Sequence, residues 1–432
     1  MKKMEYKEIK KLSVSSAVLN PPPSKAHTLR ALILASLCKG SSTIKNALLA
    51  DDQKYLIDCL RALGVSISIE RGDEGENIIH VEGKGIPFHV ENTKLDCGES
   101  GVAMNFLSSL ACFANETLIL SGKEGLLKRP IDDLTSALES LGVAISFLGR
   151  NGYPPLKITP GLFNKTEVSL SGKKTSQYFS SLSIAGALNP EGLIIHCTDD
   201  LSEKPYLDIT LEMMKAFCVL AVHEDYKTIR VFPKQEFRPQ KIRIEGDYSS
   251  ASYFFLVAAI TGIEVKMPYL KPDSVQGDKK IIDFMQEMGC SIWEEGDALV
   301  VKGGNLKAVD IDCLNTPDIV PTLAVAAAFA EGESVLRNIS QLRYKESDRI
   351  AAIQSELGKM GIKTALKGED LCIFGSPKEI HSAIIDSHND HRIAMSFAVP
   401  GLILEGQKIM NPSCVAKSFP HFWELFDGIF TQ

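Results

Sequence analysis

The stretch GDYSSASYFFLVAA, residues 246–259, sets a polar cluster directly ahead of a helix-length run of small and apolar residues. Its reading decides the fold, because the same pattern returns along the whole chain. It begins at Ser24 (SKAHTLRALILASL), Gly98 (GESGVAMNFLSSLA), Thr175 (TSQYFSSLSIAGAL), Pro317 (PDIVPTLAVAAAFA) and Asn389 (NDHRIAMSFAVPGL). With Gly246 the starts lie roughly 70–77 residues apart, a regular period too long for a solenoid repeat. Alanine and serine along these runs suit buried, closely packed helices.

A second theme alternates with the first: an amphipathic helix ending in glycine, then a strand-like run. It reads LRALGVSISI, LESLGVAISF, MQEMGCSIWE and LGKMGIKTAL, with a degenerate form at MMKAFCVLAV. Gly64, Gly142, Gly289 and Gly361 fall where a helix C-terminus calls for positive φ. Short β-rich stretches such as LIIHC and ALVVKG complete each unit. Six units of mixed strands and two helices give an α/β (α+β) fold with internal pseudo-symmetry. The stiff NPPPSK segment and KIRIEGDYSS, near the midpoint, read as connections between two lobes of three units each. The boundaries follow: residues 1–22 plus 246–432 form one lobe and 23–245 the other, with a hinge near 20–24 and 243–247.

Composition narrows the function. With 44% hydrophobic and 23% charged residues the chain is globular, and its net charge of −7 argues against a general nucleic-acid binder. Ten cysteines are scattered singly, with neither a CxxC pair nor zinc-ligand spacing, as in a reduced cytosolic protein. No segment resembles a signal peptide or a membrane helix, so a cytoplasmic location is expected, with no membrane partner. Phosphate loops, dinucleotide fingerprints, HExxH and GxSxG are all absent. His388 and His391 are not part of a metal set, and no metal is expected.

What close packing does not require is the polar content at the helix starts. Helix N-termini carry unpaired N–H groups and partial positive charge, and so bind anions. Here they hold Lys25 and Arg30, Ser100 and Gly101, Thr175 to Gln177, Asp318, and Asn389 to Arg392. Arg129, Lys345, Arg349 and Lys417 extend the set of cations, and arginine forks match phosphate and carboxylate. Asp318 and Glu346 are the carboxylates best placed for acid or base work, although Asp318, after Pro317, would also suit a helix cap. RYKESDRIAA, residues 343–352, concentrates this chemistry: two cations and two carboxylates within five positions. Convergence of several such ends would make a site for a multiply charged anionic small molecule.

The motifs PPSKAHTLRA, CGESGVAM, KRPIDDL, TSQYFSSL, KPYLDIT, GDYSSASYF, RYKESDRI, NDHRIAM and AKSFPHF, in this order, resemble the 5-enolpyruvylshikimate-3-phosphate synthase family over essentially the whole chain. The resemblance implies two lobes, each of three βαβαββ units, closing on substrate. It implies transfer of the enolpyruvyl group of phosphoenolpyruvate to the 5-hydroxyl of shikimate 3-phosphate, through a tetrahedral intermediate and with no cofactor. Phosphoenolpyruvate would meet Lys25, Gly101, Arg129, Gln177, Arg349, Arg392 and Lys417. Shikimate 3-phosphate would meet Arg30, Thr175, Ser176, Gln177, Tyr206, Asp318, Gln341 and Lys345. Asp318 would be the base for the attacking hydroxyl, and Glu346 with Lys25 the acid–base pair at the methylene carbon and the leaving phosphate. Asp348 would brace its neighbours. A monomer is the family expectation.

Five positions depart from the family pattern: Ala26, Glu99, Val102, Asn105 and Glu203 stand where Ser, Asn, Thr, Arg and Ser are usual. Thr28 or Ser24 could replace the first lost hydroxyl, and Ser202 adjoins the last. Glu99 and Asn105 shift local charge toward negative, unless Lys123 or Lys128 compensates or Glu99 points away. A lost charge-assisted hydrogen bond costs about 1.5–3 kcal/mol, roughly ten- to a hundredfold in affinity. A raised Michaelis constant for phosphoenolpyruvate, and resistance to the family inhibitor glyphosate, are therefore expected. Two alternatives accompany this reading: a catalytically impaired paralogue binding phosphorylated ligands, and UDP-N-acetylglucosamine enolpyruvyl transferase. The latter family carries a cysteine in the loop corresponding to GKEGLLKRP, which has none here.

Overall fold

The structure is a computed structural model that describes residues 5–12 and 14–429. The chain divides into two compact units, Met1–Pro22 with Gly246–Gln432, and Pro23–Glu245, each with its own hydrophobic core.

One repeat shows how the sequence builds the unit. Strand Lys94–Asp96 leads into helix Gly101–Leu110 and returns as Leu118–Ser121, parallel to the first with Lys94 opposite Ile119. Helix Asp132–Ser140 follows, then Ala144–Phe147 and Leu156–Thr159 as an antiparallel pair. The result is a four-stranded sheet in a βαβαββ chain order, with Leu156–Thr159 inside and Ala144–Phe147 at the edge. Alternate strand residues, Leu156 and Ile158 among them, enter the core. Five sheets follow this plan. The sixth differs: among the described residues it has three strands, Ile384–Asp386 parallel to Lys408–Met410, with Tyr6–Glu8 antiparallel to the latter. The six expected units are present as six sheets, and among the described residues the sixth takes its third strand from Tyr6–Glu8.

Two further strands come from far along the chain. Lys241–Arg243 pairs in parallel with Lys39–Lys45, supplying the first strand of the first repeat in Pro23–Glu245. Ser16–Val18 does the same for Glu264–Pro268 in the other unit.

The first helix of each repeat is central. Tyr248–Thr261 is buried from Tyr248 through Ala259, which explains why it is apolar all round rather than amphipathic. Ser24, Ser100, Asp247 and Asp390 cap these helices with side-chain oxygens, satisfying amides that would otherwise be orphaned. The second helices are amphipathic and end as expected: Gly64, Gly142, Gly289 and Gly361 have φ of +85°, +96°, +105° and +84°. In the degenerate copy the same place is held by Cys218, at φ +66°.

All ten cysteines are free thiols, and most are buried. No helix among the described residues is long and apolar enough to cross a membrane.

Candidate functional site

In the unit containing Gly246–Gln432, five of the charged residues singled out in the sequence, Asp318, Glu346, Arg349, Arg392 and Lys417, form one network. The 3-10 turn Pro317–Ile319 presents Asp318, helix Arg349–Lys359 begins with Arg349, and helix His391–Ala398 carries Arg392 in its first turn. Asp318 accepts from Arg349 Nη1 at 2.9 Å and from Arg392 Nη2 at 2.6 Å. Arg349 also donates to Glu346 Oε2 at 2.7 Å and, through Nε, to Asp390 Oδ2 at 2.8 Å. Lys417 Nζ lies 3.1 Å from Glu346 Oε1. Arg349 is only 1% exposed. Burial works against its charge, but Asp390, Glu346 and Asp318 outweigh that and raise its pKa above the ordinary value.

The local sequence explains the placement. Asp348 caps its helix through Ala351 N, and Arg343 Nη1 donates to Asp348 at 2.9 Å, so this carboxylate braces the segment. Asp318 does not act as a side-chain cap for helix Val320–Ala328; both its oxygens face guanidinium groups. Gln341 is buried, its Nε2 donating to Leu314 O at 3.4 Å, while Lys345 is half-buried on the segment leading to Glu346.

In Pro23–Glu245 the predicted residues are held differently. Lys25 Nζ pairs with Asp52 at 2.7 Å. Arg30, 1% exposed, donates to Thr210 Oγ1, Ala26 O and Tyr206 O, and its guanidinium lies over the Phe106 ring. Burial lowers its pKa to about 10. Gly101 sits beside Arg129: a Cβ there would lie 3.3 Å from Arg129 Nη1. Gln177 Oε1 accepts from Asn105 Nδ2 at 2.8 Å. Thr175 Oγ1 donates to Glu203 Oε2 at 2.9 Å, and Ser176 Oγ to the Glu203 carbonyl at 2.8 Å.

The departures therefore touch the predicted residues directly. Glu99 does not point away: its Oε2 is 4.0 Å from Arg129 Nη2, and its Oε1 accepts from Gly125 N. Lys128 is engaged by Glu124 at 2.6 Å, and Lys123 lies over the Tyr55 ring. Glu203 is buried in a left-handed conformation, φ +59°, a strained state for a residue other than glycine. Ser202 donates to Gly172 O and Lys173 O, Thr28 donates to Ser24 O, and Ser24 caps the helix, so all three hydroxyls are used within the fold.

Sequence reading missed Asp52, the partner of Lys25, and named Asp390, the partner of Arg349, only within the run Asn389 to Arg392. Asp390 left a trace, since it is the residue before the helix that carries Arg392 and caps it. Asp52 left none. Among the described residues no group of three or more His, Cys, Asp or Glu side chains is placed to hold a metal ion.

Three cations held among three carboxylates can receive an anion, and doing so frees carboxylate oxygens for proton transfer. Comparison with known proteins agrees with this chemistry. The family model for EPSP synthase (3-phosphoshikimate 1-carboxyvinyltransferase) matches residues 9–426. The chain is 36% identical to the 3-phosphoshikimate 1-carboxyvinyltransferase of Erwinia tasmaniensis over 96% of each chain. It is 37% identical to the enzyme of that name from Methanoculleus marisnigri, over 95% of this chain and 96% of the relative. The solved EPSP synthase of Acinetobacter baumannii superposes with a TM-score of 0.80 at 26% identity, over 98% of both chains. The match favours neither the impaired paralogue nor the UDP-N-acetylglucosamine enzyme. By sequence over nearly its whole length, and by fold, the chain belongs to the EPSP synthase family.

Proposed function

We propose that this protein transfers the enolpyruvyl group of phosphoenolpyruvate to the 5-hydroxyl of shikimate 3-phosphate and releases phosphate. The observation that carries this reading is the sharing of Arg349 between Asp318 and Glu346, which ties two carboxylates to one cation. Each substrate brings a phosphate and a carboxylate, so cation-rich surroundings are required. Phosphoenolpyruvate is assigned to Lys25, Gly101, Arg129, Gln177, Arg349, Arg392 and Lys417. Shikimate 3-phosphate is assigned to Arg30, Thr175, Ser176, Gln177, Tyr206, Asp318, Gln341 and Lys345.

In the addition step Asp318 takes the hydroxyl proton as the oxygen bonds to C2 of phosphoenolpyruvate, and Glu346 with Lys25 delivers a proton to the methylene carbon. The C2–O bond to phosphate then breaks as a methyl proton returns to the same acid–base pair, which restores the double bond and forms the enol ether. Every proton taken is matched by one returned or released with product. Arg349, Arg392 and Lys417 stabilise the phosphate and carboxylate charge through the sequence.

The test is phosphate release by purified protein mixed with both substrates, with phosphoenolpyruvate scanned to high concentration. Release that depends on both is expected. Release from phosphoenolpyruvate alone, or none at all, would overturn the assignment.

A further inference from the structure

Asp278 is a buried carboxyl that the reaction scheme above does not use. It lies in the 3-10 turn Gly277–Lys280, is 3% exposed, and accepts a hydrogen bond from Ser249 Oγ on Oδ2. Its Oδ1 has no hydrogen-bond partner among the described residues. Gln276 fixes the turn, accepting from Tyr248 N at 3.0 Å and donating to Gly246 O at 2.8 Å. The turn packs against the start of helix Tyr248–Thr261 and against the 3-10 turn that presents Asp318.

Asp278 feels the charges of Asp318 from that second turn, Asp247 at the helix start and Arg392 from helix His391–Ala398, and the buried thiol of Cys313 is a further titratable neighbour. On its own and the following element the charges are turned elsewhere: Lys280 and Asp283 are exposed, and Lys279 Nζ donates to Pro272 O. Burial first, then the negative charge of Asp318, push the Asp278 carboxyl up to about 7, against the opposing pull of Arg392 and Ser249. A buried carboxyl with one unpartnered oxygen thus sits in a turn packed against the turn of the assigned base.

We propose that Asp278 is a positioning residue for Asp318, its charge adjusting how readily that carboxylate accepts the substrate hydroxyl proton. This rests on the reading of Asp318 given above. Two guanidinium partners favour the charged form of a carboxylate and so weaken it as a base; a nearby negative charge does the reverse. No proton leaves Asp278 in the step. The hydroxyl proton goes to Asp318, and Asp278 acts through its field alone. Ionised, it strengthens the base; protonated, it does not.

The experiment is the pH dependence of kcat and of both KM values for the full chain, compared with Asp278→Asn and Ser249→Ala. Wild type should show kcat rising about 3–10-fold through pH 7, because one unit of coupling is tenfold. Asp278→Asn should match wild type near pH 6, lack the rise and leave both KM values unchanged. Ser249→Ala should move the rise to higher pH, since the lost hydrogen bond favours the ionised form. A rate curve for Asp278→Asn parallel to wild type, or a rise unmoved in Ser249→Ala, would overturn the inference alone. Absence of turnover by wild type would overturn the assignment of the reaction and this inference with it. If Asp278→Asn fails to fold, the position of the rise in Ser249→Ala decides.

Discussion

The two units hold their predicted site residues in opposite ways. In Gly246–Gln432, Asp318, Glu346 and Asp390 interlock with Arg349, Arg392 and Lys417, at distances of 2.6–3.1 Å, and none of the five departures from the family pattern falls there. In Pro23–Glu245, which contains all five, Lys25 and Arg129 each face a carboxylate, while Arg30 is bound to protein oxygens. A carboxylate in the first network is a candidate participant in the chemistry. Glu99 and Glu203 in the second are candidate competitors with an incoming anion. The contrast places both candidate proton-transfer carboxylates, Asp318 and Glu346, in one unit, and the departures expected to tune affinity in the other.

The most severe way to break the contrast is Arg349→Met. It leaves the fully buried Asp390 without its principal cation, and removing one partner of a buried pair costs about 3–5 kcal/mol. Denaturant unfolding at neutral pH should show that loss, and phosphate release should vanish. A variant as stable as wild type would mean that the network is no more than surface pairing. Next in size is Glu99→Asn, which removes the negative charge facing Arg129. The KM for phosphoenolpyruvate should fall roughly ten- to a hundredfold, with glyphosate inhibition tightening in parallel. An unchanged KM would show that Glu99 is neutral in effect and that the two units do not differ as argued.

The smallest effect concerns a control cluster. Glu356, fully buried, accepts from Lys359, His388 and the Asp386 amide. Burial opposes its charge, but these hydrogen bonds prevail and hold its pKa below the ordinary 4.5. The bond to Glu356 raises His388 above its ordinary 6.5. The His388 contribution is therefore complete below pH 6.5 and lost as pH rises through its folded value. The Glu356 contribution is complete above pH 4.5 and lost as pH falls. Thermal unfolding should show a modest decline on the alkaline side that His388→Gln abolishes, without altering the pH dependence of kcat. A change in that dependence would place the cluster within the catalytic network.

Much of this was legible in the residues. Repeated helix starts and C-terminal glycines announced the units, because local backbone demands are written locally; Cys218 shows the conformation surviving where the glycine is gone. The cations were legible as types. Their pairing was not: Arg349 meets Asp390 across 41 positions and Asp318 across 31, and no local pattern encodes such a choice. The committed state of Arg30 was equally hidden, since a buried and an available arginine read alike. The reduced sixth sheet escaped notice because its third strand comes from the opposite end of the chain.

Those long-range strands also set an order of assembly during synthesis. Pro23–Glu245 contains all of its own sheet partners, so it can finish folding once Lys241–Arg243 has been made. Ser16–Val18 and Tyr6–Glu8 emerge well before Glu264–Pro268 and Lys408–Met410, with which they pair. At about 5–20 residues per second, they wait roughly ten seconds to over a minute for their partners. The segment that waits carries Lys7, Glu8, Lys10 and Lys11, and charged side chains of this kind disfavour pairing of an open strand edge with another chain.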